Sequence, residues 1–309
     1  MVAYVYPSVG RSGLGNCLLP WARAVVFAHK YKLPILAPSW GSVRLGPYFR
    51  REYDKRRYGK LFQYDGYIRG LKRASALVSS NSISEYEAMR YLPELKTREG
   101  HNALVVFEGL DDFFVPLHRD YALIRERLWE MTRPALRKHS LTPTARFFAA
   151  HVRRGDQVLP HQPESKVAQH TQCTPLDWFA KTIGKIRHFK QYNRVPFLIF
   201  TDGSPAQVES LLEQENVILA PKGVSIVDLF RLSRASLLLA SGYSTFSMWA
   251  SFLGGMPTIY APGKIQQFVQ TGREGAFEVE LAESEAVPAN VFSSLESYSN
   301  NVLVNDWRG

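Results

Sequence analysis

The sequence predicts an α/β protein made of two Rossmann-like domains facing each other across a cleft. Three observations carry this. Short apolar runs alternate with stretches of helical period in both halves of the 309-residue chain. Polar turns follow several of those runs, at the end where open α/β sheets bind ligands. The proline-rich polar stretch Thr132 to Thr144, TRPALRKHSLTPT, marks a boundary, giving an N-terminal domain over 1–138 and a C-terminal domain over 139–309.

The first strand is Val2 to Tyr6, followed by the glycine- and serine-rich loop PSVGRSGLGN. Cys17 to Tyr31 then reads as a helix with Leu18, Trp21, Ala22, Val25 and Ala28 on one face, and Leu33 to Ala37 as a second strand. Gly13 and Gly15 let a backbone approach a ligand at the helix N-terminus, where unpaired N–H groups favour anions. The spacing is not GxGxxG and no Walker lysine follows, so a structural turn is an equal reading. Asn16 serves either as the helix N-cap or as a ligand contact. The basic run RREYDKRR, Arg50 to Arg57, is a solvated surface or a contact for an anionic acceptor or lipid headgroups. Ala103 to Phe107 is a strand, and His118 to Met131 a helix with Tyr121, Ile124, Leu128 and Trp129 inward. Asp111 and Asp112 fall in the loop between them, as surface residues or with one of them a general base.

The C-terminal domain opens with RFFAAHVRRGD, Arg146 to Asp156. Phe147 to Val152 is a buried parallel strand running into a polar turn. Side chains alternate along a strand, so His151 and Arg153 share one face, Val152 and Arg154 the other. An arginine fork at a strand end suits phosphate oxygens; the plainer role is an ion pair with Asp156. Residues 157–174 read as a loop, and its histidines, His161 and His170, match no metal-ligand spacing. Helix Pro175 to His188 and strand Pro196 to Phe200 come next. Asp202 sits past that strand, at the ligand edge or capping a helix over Ala206 to Gln214, a task open to Ser204 too. Strand Val217 to Ala220, helix Ile226 to Arg234 and strand Ser236 to Ala240 lead into SGYSTFSMWASFLGG. Ser244 and Thr245 there start a helix, as phosphate ligands or as a cap. Pro257 to Tyr260 is the last clear strand, and the tail after Gly263 is less regular.

A net charge of +10 and a pI near 9.6 call for an anionic partner. No RRM, helix-turn-helix or zinc-finger pattern is present, so nucleic acid is a poor explanation of the charge. Cys17 and Cys173 lie far apart and outside any CxxC spacing, which fits a reducing compartment. No apolar run reaches the ~18 residues of a membrane span. The expected protein is soluble and cytoplasmic, at most peripheral to a membrane. No GxGxxG with a downstream acid appears, which disfavours a dehydrogenase or epimerase.

HVRRGD after an apolar strand resembles the central motif of the α-1,2-fucosyltransferases, glycosyltransferase family 11. SGLGN, FEGLDDFFVPLHRDYALIRERL, FTDG and SGYSTFSMWASFL resemble further family motifs in the same order, over about residues 10–260. The resemblance implies a GT-B-type fold, GDP-fucose as donor, a glycan acceptor, and inversion with no metal cofactor; the basic, soluble character of the chain would fit an acceptor carried on a lipid. By that resemblance Arg153 binds the donor diphosphate with Arg154 in support. His151 and Asp202 meet the guanine–ribose end, and Ser244, Thr245 and Phe246 close around the phosphates. Gly13, Gly15 and Asn16 lie across the cleft on the acceptor side. Arg153 stabilises the departing diphosphate, and Asp156 and Asp112 are the candidate bases. No DxD metal motif occurs. The chain departs from the family pattern at Cys17 for Gln, Gly109-Leu110 for Gln-Ser, Gly203 for Asp and Tyr243 for Asn. Those departures leave open another nucleotide-sugar donor, or a non-catalytic glycan- or nucleotide-binding relative.

Overall fold

The computed structural model describes residues 2–40, 58–97, 102–140, 146–154 and 173–302. Among them the chain divides into two compact units between Arg137 and Lys138. Arg50–Arg57, Asp156, His161 and His170 lie outside the described residues.

The first unit starts with β1 (Ala3–Pro7) and α1 (Leu14–Tyr31). Gly13 is extended at the N-cap, and the Cys17 amide donates to its carbonyl at 3.1 Å, closing the first turn. The helix therefore starts three residues earlier than expected, and Asn16 is a first-turn residue instead of the N-cap. Leu14 is the reason: its buried side chain anchors the turn. Leu18, Trp21, Ala22, Val25 and Ala28 are buried as the period predicts, but Cys17, Leu19, Arg23, Ala24 and Phe27 are buried too, so the helix is covered on more than one face. Pro20 lies inside the helix and forfeits one backbone hydrogen bond. Lys32, left-handed at φ 54°, ends it.

Residues 33–37 make single bridges to β1 and Ile68 instead of a ladder strand. The elements α2 (Gly70–Ser79), β2 (Asn81–Ser84) and α3 (Glu85–Thr97) come next, then β3 (Ala103–Phe107). The sheet order is β1-β3-β2, all parallel. α1 and Ala88 of α3 cover one face, through Ala24 and Phe27 against Val5, Val105 and Phe107. α2 covers the other through Ala76 against Leu36 and Leu104. The helix expected from His118 is divided. A 3-10 turn spans Val115–Asp120, and α4 spans Tyr121–Met131 with Ile124 and Leu128 buried. The presumed irregular boundary contains α5 (Pro134–Ser140), because Pro134 suits a first helical position.

The second unit is one parallel six-stranded sheet. Its strands are β4 (Phe148–Val152), β5 (Phe197–Thr201), β6 (Val217–Leu219), β7 (Leu238–Ala240), β8 (Thr258–Tyr260) and β9 (Glu278–Glu280). Their order is β6-β5-β4-β7-β8-β9. Numbered within the unit this is 3-2-1-4-5-6, the order of a dinucleotide-binding sheet. Every β4 residue is buried, so both faces of the sheet centre are covered. On one face Phe148, Ala150 and Val152 pack with Trp178, Phe179 and Ile183 of α6 (Leu176–Arg187). Pro175 is that helix's N-cap, one position before the expected first turn. Ser204 caps the turn after β5 in a reciprocal box with Gln207, so Asp202 is released from that task. The single long helix expected there is instead a 3-10 turn at Pro205–Val208 and a short α7 (Glu209–Leu212). α8 (Ser225–Leu232) and α9 (Thr245–Gly254) match expectation closely. The tail is more regular than expected, adding β9 and α10 (Ala289–Val302).

Candidate functional site

The strand order reverses between β4 and β7, whose neighbours run outward in opposite directions. That reversal opens a crevice at the carboxyl edge of the sheet, the position where ligands enter such folds. The crevice is walled by the two segments singled out in the sequence, HVRR at the end of β4 and SGYSTFS after β7.

His151 is buried on the face of β4 opposite Val152. Its Nδ1 lies 2.7 Å from the Ser247 hydroxyl, and its ring packs on Phe246 at 5.2 Å between centroids. Burial pushes its pKa down from 6.5 to about 4; Asp202 opposes that shift and Arg153 adds to it. The imidazole is therefore neutral at pH 7. This has a measurable consequence. Above pH 6.5 the native and unfolded chains both hold a neutral imidazole, and stability is at its full value. As pH falls from 6.5 toward 4, the unfolded chain takes up a proton that the native site refuses, and stability is lost. The expected loss is roughly 2 kcal/mol by pH 5, at 1.36 kcal/mol per pKa unit. Denaturant unfolding at pH 7 and pH 5 measures it, and His151→Gln is expected to remove that part of the pH dependence. Equal sensitivity in the variant would show that other groups cause it.

The two arginines leave β4 in different directions. The Arg153 amide donates to the Ser241 hydroxyl at 2.9 Å, and its Nη1 reaches the Tyr243 carbonyl at 3.5 Å. Arg153 is half-buried on the β7 side. Arg154 turns toward β5, and its amide donates to Asp202 Oδ1 at 2.7 Å. It is 7% exposed, and its Nε and Nη2 are buried without a hydrogen-bond partner among the described residues. A buried guanidinium left so costs far more than one paired with an acid. The arrangement calls for an anion.

The edge after β7 supplies the other wall. Ser244 is the N-cap of α9, and its hydroxyl accepts the Ser247 amide at 3.3 Å. Its own proton stays available to a ligand oxygen. Thr245 and Phe246 come after it in the first turn, half-buried. Tyr243 adopts φ 50°, a left-handed conformation that suits asparagine better than tyrosine. It is pinned there by its amide to the Lys264 carbonyl (2.8 Å) and its hydroxyl to the Gly263 carbonyl (2.7 Å). Gly203 is close-packed: a Cβ there would lie 2.8 Å from Arg154 Cβ and 2.6 Å from Gln207 Oε1. A larger residue at that position and the observed Arg154 exclude one another.

His151, Arg153, Arg154, Asp202, Ser244, Thr245 and Phe246 thus belong to one edge of one sheet. Gly13, Gly15, Asn16 and Asp112 belong to the first unit. Gly15 is buried and Asn16 half-buried in the first turn of α1. Asp112 is exposed at φ 54° in the loop after β3. Arg23, itself buried, fastens that loop: its Nη2 donates to the Glu108 carbonyl at 2.6 Å and its Nη1 to the Asp111 carbonyl at 3.4 Å. Its Nε pairs with Glu85 at 3.0 Å. The first unit also holds a cavity of about 680 Å³ lined by Val25, Gln63, Tyr67 and Glu130 among others, and no predicted site residue lines it.

Sequence reasoning missed Ser241, Ser247 and Thr174, whose hydroxyl accepts the Gly242 amide at 2.9 Å. The signal for the two serines was present: hydroxyls at the inward positions of an otherwise apolar segment.

No protein-family model and no curated protein matches this sequence. Solved structures do. A NodZ α-1,6-fucosyltransferase soaked with GDP-fucose aligns with TM-score 0.51 at 16% identity, over 85% of this chain and 96% of that one. NodZ co-crystallized with GDP aligns with TM-score 0.54 at 17% identity, over 84% and 95%. The fucosyltransferase NodZ from Bradyrhizobium aligns with TM-score 0.54 at 16% identity, over 85% and 97%. At such identities the likeness establishes the fold, α/β of the GT-B-like class.

Proposed function

We propose that this chain is a glycosyltransferase that moves fucose from GDP-fucose to a hydroxyl of a glycan. The observation that carries the reading is that Arg154, next in sequence to Arg153 at the reversal of a 3-2-1-4-5-6 sheet, keeps Nε and Nη2 buried without a hydrogen-bond partner among the described residues. Two cations at that strand end suit a diphosphate, and the likeness to NodZ structures soaked with GDP-fucose and co-crystallized with GDP supports the donor.

The chemistry follows from charge. As the glycosidic bond to the donor breaks, negative charge grows on the leaving diphosphate. Preorganised donors aimed at it lower the barrier without reorganising. Arg153 takes that role, and Arg154 holds the diphosphate from the β5 side. The amides at the start of α9, with the hydroxyls of Ser244 and Thr245, bind the remaining phosphate oxygens. Neutral His151 and Asp202 lie beside the nucleoside. With two guanidiniums on the phosphates the reaction runs without a metal. The acceptor hydroxyl attacks from the opposite side of the sugar carbon, inverting it, with Asp156 or Asp112 accepting its proton. The α-1,2 linkage rests on the motif resemblance.

Thermal shift and calorimetry with GDP-fucose, GDP-mannose, and UDP- and dTDP-sugars test the donor. GDP-fucose and GDP are expected to stabilise the chain, and fucose transfer to persist in chelator. Preferential stabilisation by a UDP- or dTDP-sugar would replace the donor, and binding without transfer to any glycan would remove the enzyme.

A further inference from the structure

α2 closes the second face of the first sheet with little to bury. Ala76 is the one fully buried side chain it contributes, and Arg73 and Leu77 are half-buried. Its opposite face is apolar. Leu71 is 90% exposed and Val78 88% exposed. Seven residues apart, they stack on one stripe, with the small exposed side chains of Ala74 and Ser75 between them. Single exposed apolar residues are ordinary; an aligned pair at nearly full exposure is not.

The charges around the stripe are of one sign. From Arg69 to Ser84 there is no acidic residue. Arg69 and Lys72 are exposed at the start of α2. Arg73 is turned back, donating to the Ala37 carbonyl at 2.7 Å and the Ser39 hydroxyl at 2.6 Å. The outward face therefore offers an apolar stripe with two solvated cations, Arg69 and Lys72, at its N-terminal end, on a chain of net charge +10. That combination fits a helix lying in the interface of an anionic bilayer. α3 provides a contrast. It exposes Tyr86 and Met89, but covers the opposite face of the sheet and carries Glu85 and Glu87.

We propose that α2 docks this protein on an anionic lipid surface, with Leu71 and Val78 entering the interface and Arg69 and Lys72 meeting headgroup phosphates. This surface is independent of the donor reading and makes its own prediction.

Sedimentation of the full chain with phosphatidylcholine vesicles, with and without phosphatidylglycerol, tests it. Binding is expected only with phosphatidylglycerol, and is expected to weaken as salt shortens the screening length. Leu71→Ser with Val78→Ser is expected to lower partitioning by about tenfold or more, at unchanged circular dichroism and melting, because two buried side chains leave the interface. Lys72→Glu is expected to lower it as well, while Tyr86→Ser with Met89→Ser leaves it unaltered. Absence of binding to anionic vesicles would overturn the proposal. So would full binding by the Leu71/Val78 variant, or an equal loss in the Tyr86/Met89 variant. Self-association in the absence of lipid that the Leu71/Val78 variant abolishes would give the face to a second copy of the chain.

Discussion

Arg153→Ala is expected to lower fucose transfer by about 10²–10³-fold, the loss seen when one preorganised donor to a developing oxyanion is removed. The fold should survive, because Arg153 is half-buried and its structural tie to Ser241 is made by its backbone amide. Arg153→Lys should recover only a small part, since an ammonium is a point charge and lacks the planar fork. The readout is kcat with the donor saturating, beside a melting curve. Near-wild-type turnover in Arg153→Ala would end the assignment and with it the diphosphate reading of this edge. Arg154→Ala separates the two arginines. It removes a buried guanidinium whose Nε and Nη2 have no hydrogen-bond partner among the described residues, so the ligand-free protein should melt no lower while donor affinity falls.

Arg23→Ala is expected to destabilise the chain by roughly 1.5–3 kcal/mol, the range for losing hydrogen bonds to a charged group, because Arg23 is buried while its partner Glu85 is half-buried. Arg23 is 4% exposed, and it satisfies Glu85 together with the carbonyls of the loop after β3. Burial already raises the Glu85 pKa despite its cation, so the pair is held in a costly environment. Replacing both partners, Arg23→Met with Glu85→Leu, should recover only the part due to the ion pair, because the Glu108 and Asp111 carbonyls still lose their donor. Chemical denaturation of the single and double variants decides this. A loss below about 1 kcal/mol in Arg23→Ala, the level of surface pairs, would mean that water replaces the guanidinium.

The parts of this fold that were legible in the sequence share one property. β3, β4 and β5 are five-residue runs whose burial demands apolar side chains, and burial can be read from composition. β9 could not be read. Its sequence is Glu-Val-Glu, which looks like surface. In the fold the Glu278 carboxylate accepts the amides of Val269 and Gln270 at 2.7 Å each and the Ser251 and Tyr260 hydroxyls at 3.0 Å. Those partners come from distant positions, and no local pattern announces them. α2 was equally silent, since its apolar residues are split between an inward side, Ala76 and Leu77, and an outward one, Leu71 and Val78, so no single core-facing stripe marks it.

The site divides along the same line. Two arginines at the end of an apolar strand signal themselves. The serines bonded to His151 and the Arg153 amide follow the neighbouring strand β7, 96 and 88 positions further along the chain. Gly203 had a further meaning invisible in sequence: it leaves room for Arg154.

The strand order carries a consequence for how the molecule is made. His151 and Ser247 are 96 positions apart, and Arg153 and Ser241 88. Closing such long loops before any contact rewards them is slow, so the β4–β7 pairing is expected late in folding. During synthesis the nascent chain can lay β5 and β6 beside β4 while the opposite edge of β4 stays bare. The candidate site at this edge is complete only once β7 has docked, so binding of the proposed donor would report the last step of maturation.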